Sequence, residues 1–121
     1  MAKHILVADD SATIRKFVST SLAMLGYDVT IAQDGMDALE KLAGRPVDLV
    51  ITDLNMPNVD GFEFIKSLRE LDAYRGIPII ILSSLSSPED VTRGMALGAN
   101  SYINKPFEPK RIQYEVAKYL N

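Results

Sequence analysis

The stretch DLVITDLNMP, residues 48–57, decides how this chain is read. Leu49, Val50 and Ile51 form a short apolar run with the β-branched content of a buried strand, and the run delivers a carboxylate, Asp53, where the strand should leave the core. A lone acid in that place is ordinarily a polar terminus facing water. Whether Asp53 is that or a reactive group depends on what arrives beside it.

Comparable runs stand on either side: HILVA at 4–8, DVTIA at 28–32, IPIIILS at 77–83 and SYINK at 101–105. Helical periodicity fills the intervals. Residues 11–25 place Ile14, Phe17, Val18, Leu22 and Leu25 at helical spacing, with Ser11 as N-cap and Gly26 as stop. Met36, Leu39 and Leu42 mark a second helix closed by Gly44 and Pro46, and Phe64, Ile65, Leu68 and Leu71 a third over 61–71. SPEDVTRGMALG opens a fourth, with Ser87 as cap, Pro88 at the first helical position and Gly98 as exit. The last runs from about Glu108 to Leu120 through Ile112, Val116, Tyr119 and Leu120. Strands alternating with helices imply a parallel sheet in a single doubly wound α/β domain over 1–121, with helices on both faces and its functional crevice beyond the carboxyl ends of the strands.

Composition narrows the function. The chain has 121 residues, 47% hydrophobic and 24% charged, which suits one globular core. It has no cysteine, so a thiolate nucleophile, a thiolate metal site and a disulfide framework are all excluded. No run has the length of a membrane span or the pattern of a secretory signal, and the expectation is a cytoplasmic protein without a membrane partner. Thirteen basic against sixteen acidic residues, with no basic block, give no electrostatic reason to expect direct nucleic-acid binding.

The informative polar residues all fall at the predicted carboxyl rim: Asp9 and Asp10 after the first strand, Asp53 after the third, Ser83 and Ser84 at the fourth, Lys105 after the fifth. Carboxylates gathered there repel one another unless a cation neutralises them, and oxygen donors without histidine or cysteine suit Mg2+ rather than zinc. An isolated acidic pair is more often a solvated helix cap, but here that reading must also explain the company. An ionised Asp53 beside such an ion has the makings of a phosphoryl acceptor, with Lys105 neutralising phosphoryl oxygens and the Ser83 hydroxyl donating a hydrogen bond. No histidine or second carboxylate follows Asp53 by two or three residues to activate a water, so the acyl phosphate is expected to persist long enough to signal.

ILVADDSATIRKFV, VITDLNMPNVDGFEFI, IIILSS and LGANSYINKPF, in this order and over essentially the whole chain, resemble the successive motifs of the response-regulator receiver domain, CheY-like single-domain regulators included. The resemblance implies a flavodoxin-like five-stranded parallel sheet of order 2-1-3-4-5. It makes Asp53 the phosphorylated aspartate, Asp10 a direct metal ligand, Asp9 a ligand largely through water, and Asn55 a ligand through its backbone carbonyl. Ser83 becomes the switch hydroxyl, Lys105 the phosphoryl contact, and Lys105-Pro106 a cis peptide. The pattern departs mildly, with Val59 where methionine is frequent and apolar Leu85 two residues beyond the switch serine, at a position that in the family influences attack by water.

Tyr102 has two readings, a strand aromatic packed over the last helix or, by the resemblance, a switch aromatic that turns inward and remodels the face of helix 4, strand 5 and helix 5. His4 is expected in a plain surface or core role. A phosphohydrolase would need an acid-base aspartate where Asn55 stands, and a nucleotide or flavin module would need glycines or hydroxyls in its first loop rather than two acids. The expectation is a phosphorylation-activated switch of two-component signalling rather than an enzyme. It takes its phosphoryl group from a histidine kinase or phosphotransfer domain, assists that transfer, loses the group slowly and signals by protein contact in a chemotaxis-type setting. A phosphorelay intermediate or phosphate sink is the main alternative, and a phosphorylation-independent docking module the next.

Overall fold

The computed structural model describes residues 2–85 and 87–120. Ten main elements alternate: β1 (His4–Ala8), α1 (Ala12–Ala23), β2 (Asp28–Ala32), α2 (Gly35–Gly44), β3 (Leu49–Thr52), α3 (Gly61–Glu70), β4 (Ile79–Ser83), α4 (Pro88–Ala96), β5 (Ser101–Asn104) and α5 (Pro109–Leu120). A short 3-10 turn, Asp72–Tyr74, which periodicity did not reveal, lies between α3 and β4. All pairings are parallel and the strand order is β2-β1-β3-β4-β5, as the motif resemblance implied. No helix among the described residues is long and apolar enough to cross a membrane.

β1, β3 and β4 are buried throughout, as strands covered on both faces must be. Their side chains alternate between two cores. Leu6, Val50, Ile79 and Ile81 pack with Ala38 and Leu42 of α2 and Phe64, Ile65 and Leu68 of α3. Ile5, Val7, Leu49, Ile51, Ile80 and Leu82 face the other way, against Val18 and Leu22 of α1 and Ile112 and Val116 of α5. Four of the residues assigned to helical apolar stripes are substantially exposed: Phe17, Leu25, Met36 and Leu71. Leu25 and Leu71 lie just beyond their helices, and α2 rests on Ala38 and Leu42, which leaves Met36 in its first turn turned outward.

The caps read from sequence are formed. Ser11 accepts from the Ile14 N–H and Ser87 from the Asp90 N–H. At the outer strand β2, the Lys41 ammonium donates to the Ile31 carbonyl at 2.6 Å while Asp37, one turn earlier on α2, holds the same ammonium at 3.2 Å. On the α3 side, the Arg69 guanidinium donates to the carbonyls of Tyr74, Arg75 and Gly98 and to Asn100 Oδ1, tying α3 to the loop between α4 and β5.

Asp34 caps α2: Oδ1 accepts from the Asp37 N–H at 2.8 Å and Oδ2 from Asn58 Nδ2 at 2.8 Å. The Asp37 amide, followed by Asn58, lowers its pKa below the ordinary carboxylate range. A group whose pKa is depressed on folding contributes stability that is present above its unfolded value and is lost as pH falls through its folded one. Asp34→Ala should therefore cost about 1–2 kcal/mol at neutral pH, the size of a lost cap and one further hydrogen bond. Urea denaturation should show the gap between the native chain and the variant narrowing below about pH 4.

Candidate functional site

The rim predicted from the strand ends is assembled. Backbone bonds continue the sheet past its strands and set the side chains: the Asp9 N–H reaches the Ala32 carbonyl, the Asp53 N–H the Ala8 carbonyl and the Lys105 N–H the Ser83 carbonyl, all at 2.9–3.1 Å. Asp9 and Asp53 are thereby buried, whereas Asp10 is exposed. One carboxylate oxygen from each of Asp9, Asp10 and Asp53 lies within 4.8 Å of the other two.

Lys105 Nζ enters this group from the β5 side, 2.8 Å from Asp9 Oδ2 and 3.3 Å from Asp53 Oδ2. The other oxygens are held by backbone amides. Asp9 Oδ1 accepts from Ser11 N at 2.9 Å, and Asp53 Oδ1 from Leu54 N at 2.7 Å with a longer contact to Asn55 N at 3.4 Å. Burial raises the Asp9 pKa, with the Lys105 hydrogen bond and the Ser11 amide opposing it and the Asp53 charge adding to it. Burial acts on Lys105 too, pulling its pKa down, but the Asp9 hydrogen bond and the Asp53 charge outweigh it and the net direction is up. The two directions agree physically: the ammonium gains from two carboxylates, whereas Asp9 loses its water and is repaid by one ammonium. Lys105 is thus a fixed cation, and one ammonium against three carboxylates leaves an excess of negative charge in a cluster of hard oxygen donors. That donor set fits a divalent ion of the magnesium type.

Ser83 is fully buried at the end of β4, its Oγ accepting from the Leu85 N–H at 3.1 Å. The Tyr102 hydroxyl donates to the Leu85 carbonyl. Its pKa is raised first by burial, with the Ser83 hydroxyl opposing. The reading of Tyr102 as packed over the last helix is overturned, because alternation along β5 sends it to the opposite face, against the core of α2 and α3 and beside Gly94 of α4. Its neighbours Ser101 and Ile103 face α5, where Ser101 Oγ donates to Glu115 and Ile103 joins the second core. The Lys105-Pro106 peptide is cis, as expected.

His4 lies at the far end of β1. Its Nδ1 donates to the Pro46 carbonyl at 3.0 Å and its Nε2 pairs with Thr30 Oγ1 at 2.6 Å, so its role is structural. Residues that sequence reasoning missed include Arg15, which donates to the Asp9 carbonyl at 2.7 Å from one turn into α1, and the Asp34–Asn58 pair. The QDG before α2 was the signal for Asp34, since an aspartate preceding a helical pattern is an N-cap candidate.

The family model of the response regulator receiver domain matches residues 5–117, and the chain belongs to that family as a CheY-like receiver domain of two-component signalling. It is 39% identical over 118 residues to the chemotaxis protein CheY1 of Helicobacter pylori, covering 96% of this chain and 95% of that one. A probable transcriptional regulator, ycf27, of Porphyridium aerugineum is 41% identical over 118 residues, covering 98% of this chain; the chain spans about half the length of the ycf27 regulators it matches. Among solved structures, the chemotaxis response regulator CheY4 of Vibrio cholerae superposes with a TM-score of 0.93 at 38% identity, covering 98% of this chain and 99% of that one.

Proposed function

We propose that this domain is a phosphorylation-activated switch whose acceptor is Asp53. The observation that carries the reading is the meeting of Asp9, Asp10 and Asp53 around the Lys105 ammonium at one rim. A buried carboxylate held by the Leu54 amide is fixed for attack, and Lys105 stands where incoming phosphoryl oxygens need a positive charge. With a phosphohistidine of a histidine kinase or phosphotransfer domain as donor, an Asp53 oxygen forms the new bond to phosphorus. The nitrogen–phosphorus bond breaks, and its electron pair stays on the imidazole, which takes up a proton. Asp9, Asp10 and the Asn55 carbonyl would hold the magnesium ion, which supplies charge neutralisation at the phosphoryl oxygens when bound. The domain assists this transfer and slow hydrolysis without being a turnover enzyme, since Asn55 offers no carboxylate to activate water.

The same geometry supports an output route. Ser83, Leu85 and Tyr102 form one hydrogen-bonded chain from the rim to the face of α4, β5 and α5. A Ser83 hydroxyl that turns to a phosphoryl oxygen releases the Leu85 amide and so biases Tyr102 and that face toward a partner protein. Likeness to two chemotaxis proteins over nearly their full lengths favours a chemotaxis-type target in a cytoplasmic setting. The match to regulators about twice as long favours a second reading, in which the domain is the receiver half of a larger regulator. Intact mass tests the acceptor chemistry. Incubation with acetyl phosphate and magnesium should add one phosphoryl group, and chelation of the magnesium should suppress the gain; no gain from acetyl phosphate or a phosphohistidine donor would sink the reading.

A further inference from the structure

The loop from Leu54 to Asp60, which carries Asn55, is held at both ends. At its base the Gly61 N–H donates to the Leu54 carbonyl at 2.9 Å. At its tip Asn58 adopts a left-handed backbone conformation, φ 65°, and gives its amide to Asp34 Oδ2 at 2.8 Å. Beside that bond the Gly35 N–H donates to the Val59 carbonyl at 3.0 Å, an approach so close that a Cβ on Gly35 would stand 2.4 Å from that oxygen. Asp34 is buried and fixed by capping α2, so the loop is fastened to the start of a helix rather than to another loop. Asp34 is not part of the carboxylate cluster.

We propose that Asp34 and Asn58 form a clasp that fixes the Asn55 segment and thereby sets the affinity of the Asp9, Asp10 and Asp53 cluster for a divalent cation. This rests on the reading that the Asn55 carbonyl completes that cation's ligand set. The two side chains are positioning residues: they order a ligand-bearing loop in advance of binding, so the ion does not have to order it. With the clasp open, the base of the loop persists through Gly61 and Leu54, and the Gly35–Val59 bond and the packing of Met56 and Val59 against the core remain, but the side-chain tie of the tip to α2 is gone.

Two variants open the clasp from opposite sides. Asp34→Ser keeps a hydroxyl that can cap the Asp37 amide but is too short to reach Asn58 as well. Asn58→Gly keeps a residue at home at positive φ and removes only the amide, with no change of charge. Magnesium affinity is measured by titration calorimetry on the full chain, with far-UV circular dichroism confirming the fold. Each variant is expected to bind about tenfold more weakly, the low end for partners that orient a metal ligand. The double variant should bind no more weakly than either single one, because both break the same bond. Unchanged affinity in Asn58→Gly overturns the proposal, and a loss confined to Asp34→Ser assigns the effect to the lost charge and overturns it too. If the native chain binds no magnesium, the cation reading falls and takes the clasp's role with it, an outcome distinct from native binding that the variants share.

Discussion

A chain carrying Asp53→Asn should take up no phosphoryl group from acetyl phosphate or from a phosphohistidine donor, at any magnesium concentration. The substitution is nearly isosteric and the side-chain oxygen can go on accepting from the Leu54 amide, so the fold has no reason to change. The chemistry does change, because the amide lone pairs are delocalised or weakly nucleophilic where the carboxylate had a full charge. Lys105 keeps its 2.8 Å contact with Asp9 and remains in place. Intact mass at saturating magnesium checks the result, with thermal melting to show that the variant is folded. A retained gain of mass would move the acceptor to Asp9 or Asp10 and leave Asp53 as a ligand alone.

Gly61→Ala is expected to cost at least about 3 kcal/mol, beyond the usual penalty of overpacking. A Cβ there would stand 2.0 Å from the Asp53 carbonyl oxygen, 2.6 Å from Leu54 Cα and 2.9 Å from the Asp53 carbonyl carbon. Every one of those atoms is backbone, so no side chain can swing aside. Relief requires the loop base to open, which breaks the Gly61–Leu54 hydrogen bond and drags the residue that carries the reactive carboxylate. Urea denaturation should show the loss in stability, and magnesium affinity should fall with it. Gly44→Ala is the matched control: a Cβ there meets nothing within 4 Å, and the variant should stay within about 1 kcal/mol of the native chain. A Gly61 variant as stable as the Gly44 one would mean that the loop yields easily and that its fixed shape is no part of the site.

Most of the architecture was legible because strand periodicity and helix caps are local signals. HILVA, DVTIA and the first four residues of SYINK became β1, β2 and β5 over those same residues, and Ser11 and Ser87 cap as their positions suggested. The rim was legible for a different reason. In a parallel sheet every strand delivers its carboxyl end to the same edge, so Asp9, Asp53 and Lys105, each just past a strand, and Ser83, the last residue of β4, needed only the strand ends to be brought together. What remained hidden was set by contacts distant in sequence. The face occupied by Tyr102 follows from the register of β5 on β4, which a four-residue strand does not reveal by itself. Arg69 and the Asp34–Asn58 pair bridge 29 and 24 residues and leave no periodic trace. Met36 matched the helical spacing yet faces solvent, since spacing gives a stripe but not how much of it the neighbouring strand covers.

The Lys41 ammonium on the Ile31 carbonyl bears on how copies of this domain coexist at high concentration. The outer margin of a sheet offers unpaired backbone groups to any extended chain that meets it, and such pairing is a route to aggregation. Ile31 is 42% exposed on that margin, an apolar invitation to the same encounter. An incoming strand would have to displace a cation already held by Asp37 and win the Ile31 backbone carbonyl from a charged donor rather than from water. The lysine therefore has the character of a gatekeeper at this margin, making β2 a poorer template for an added strand.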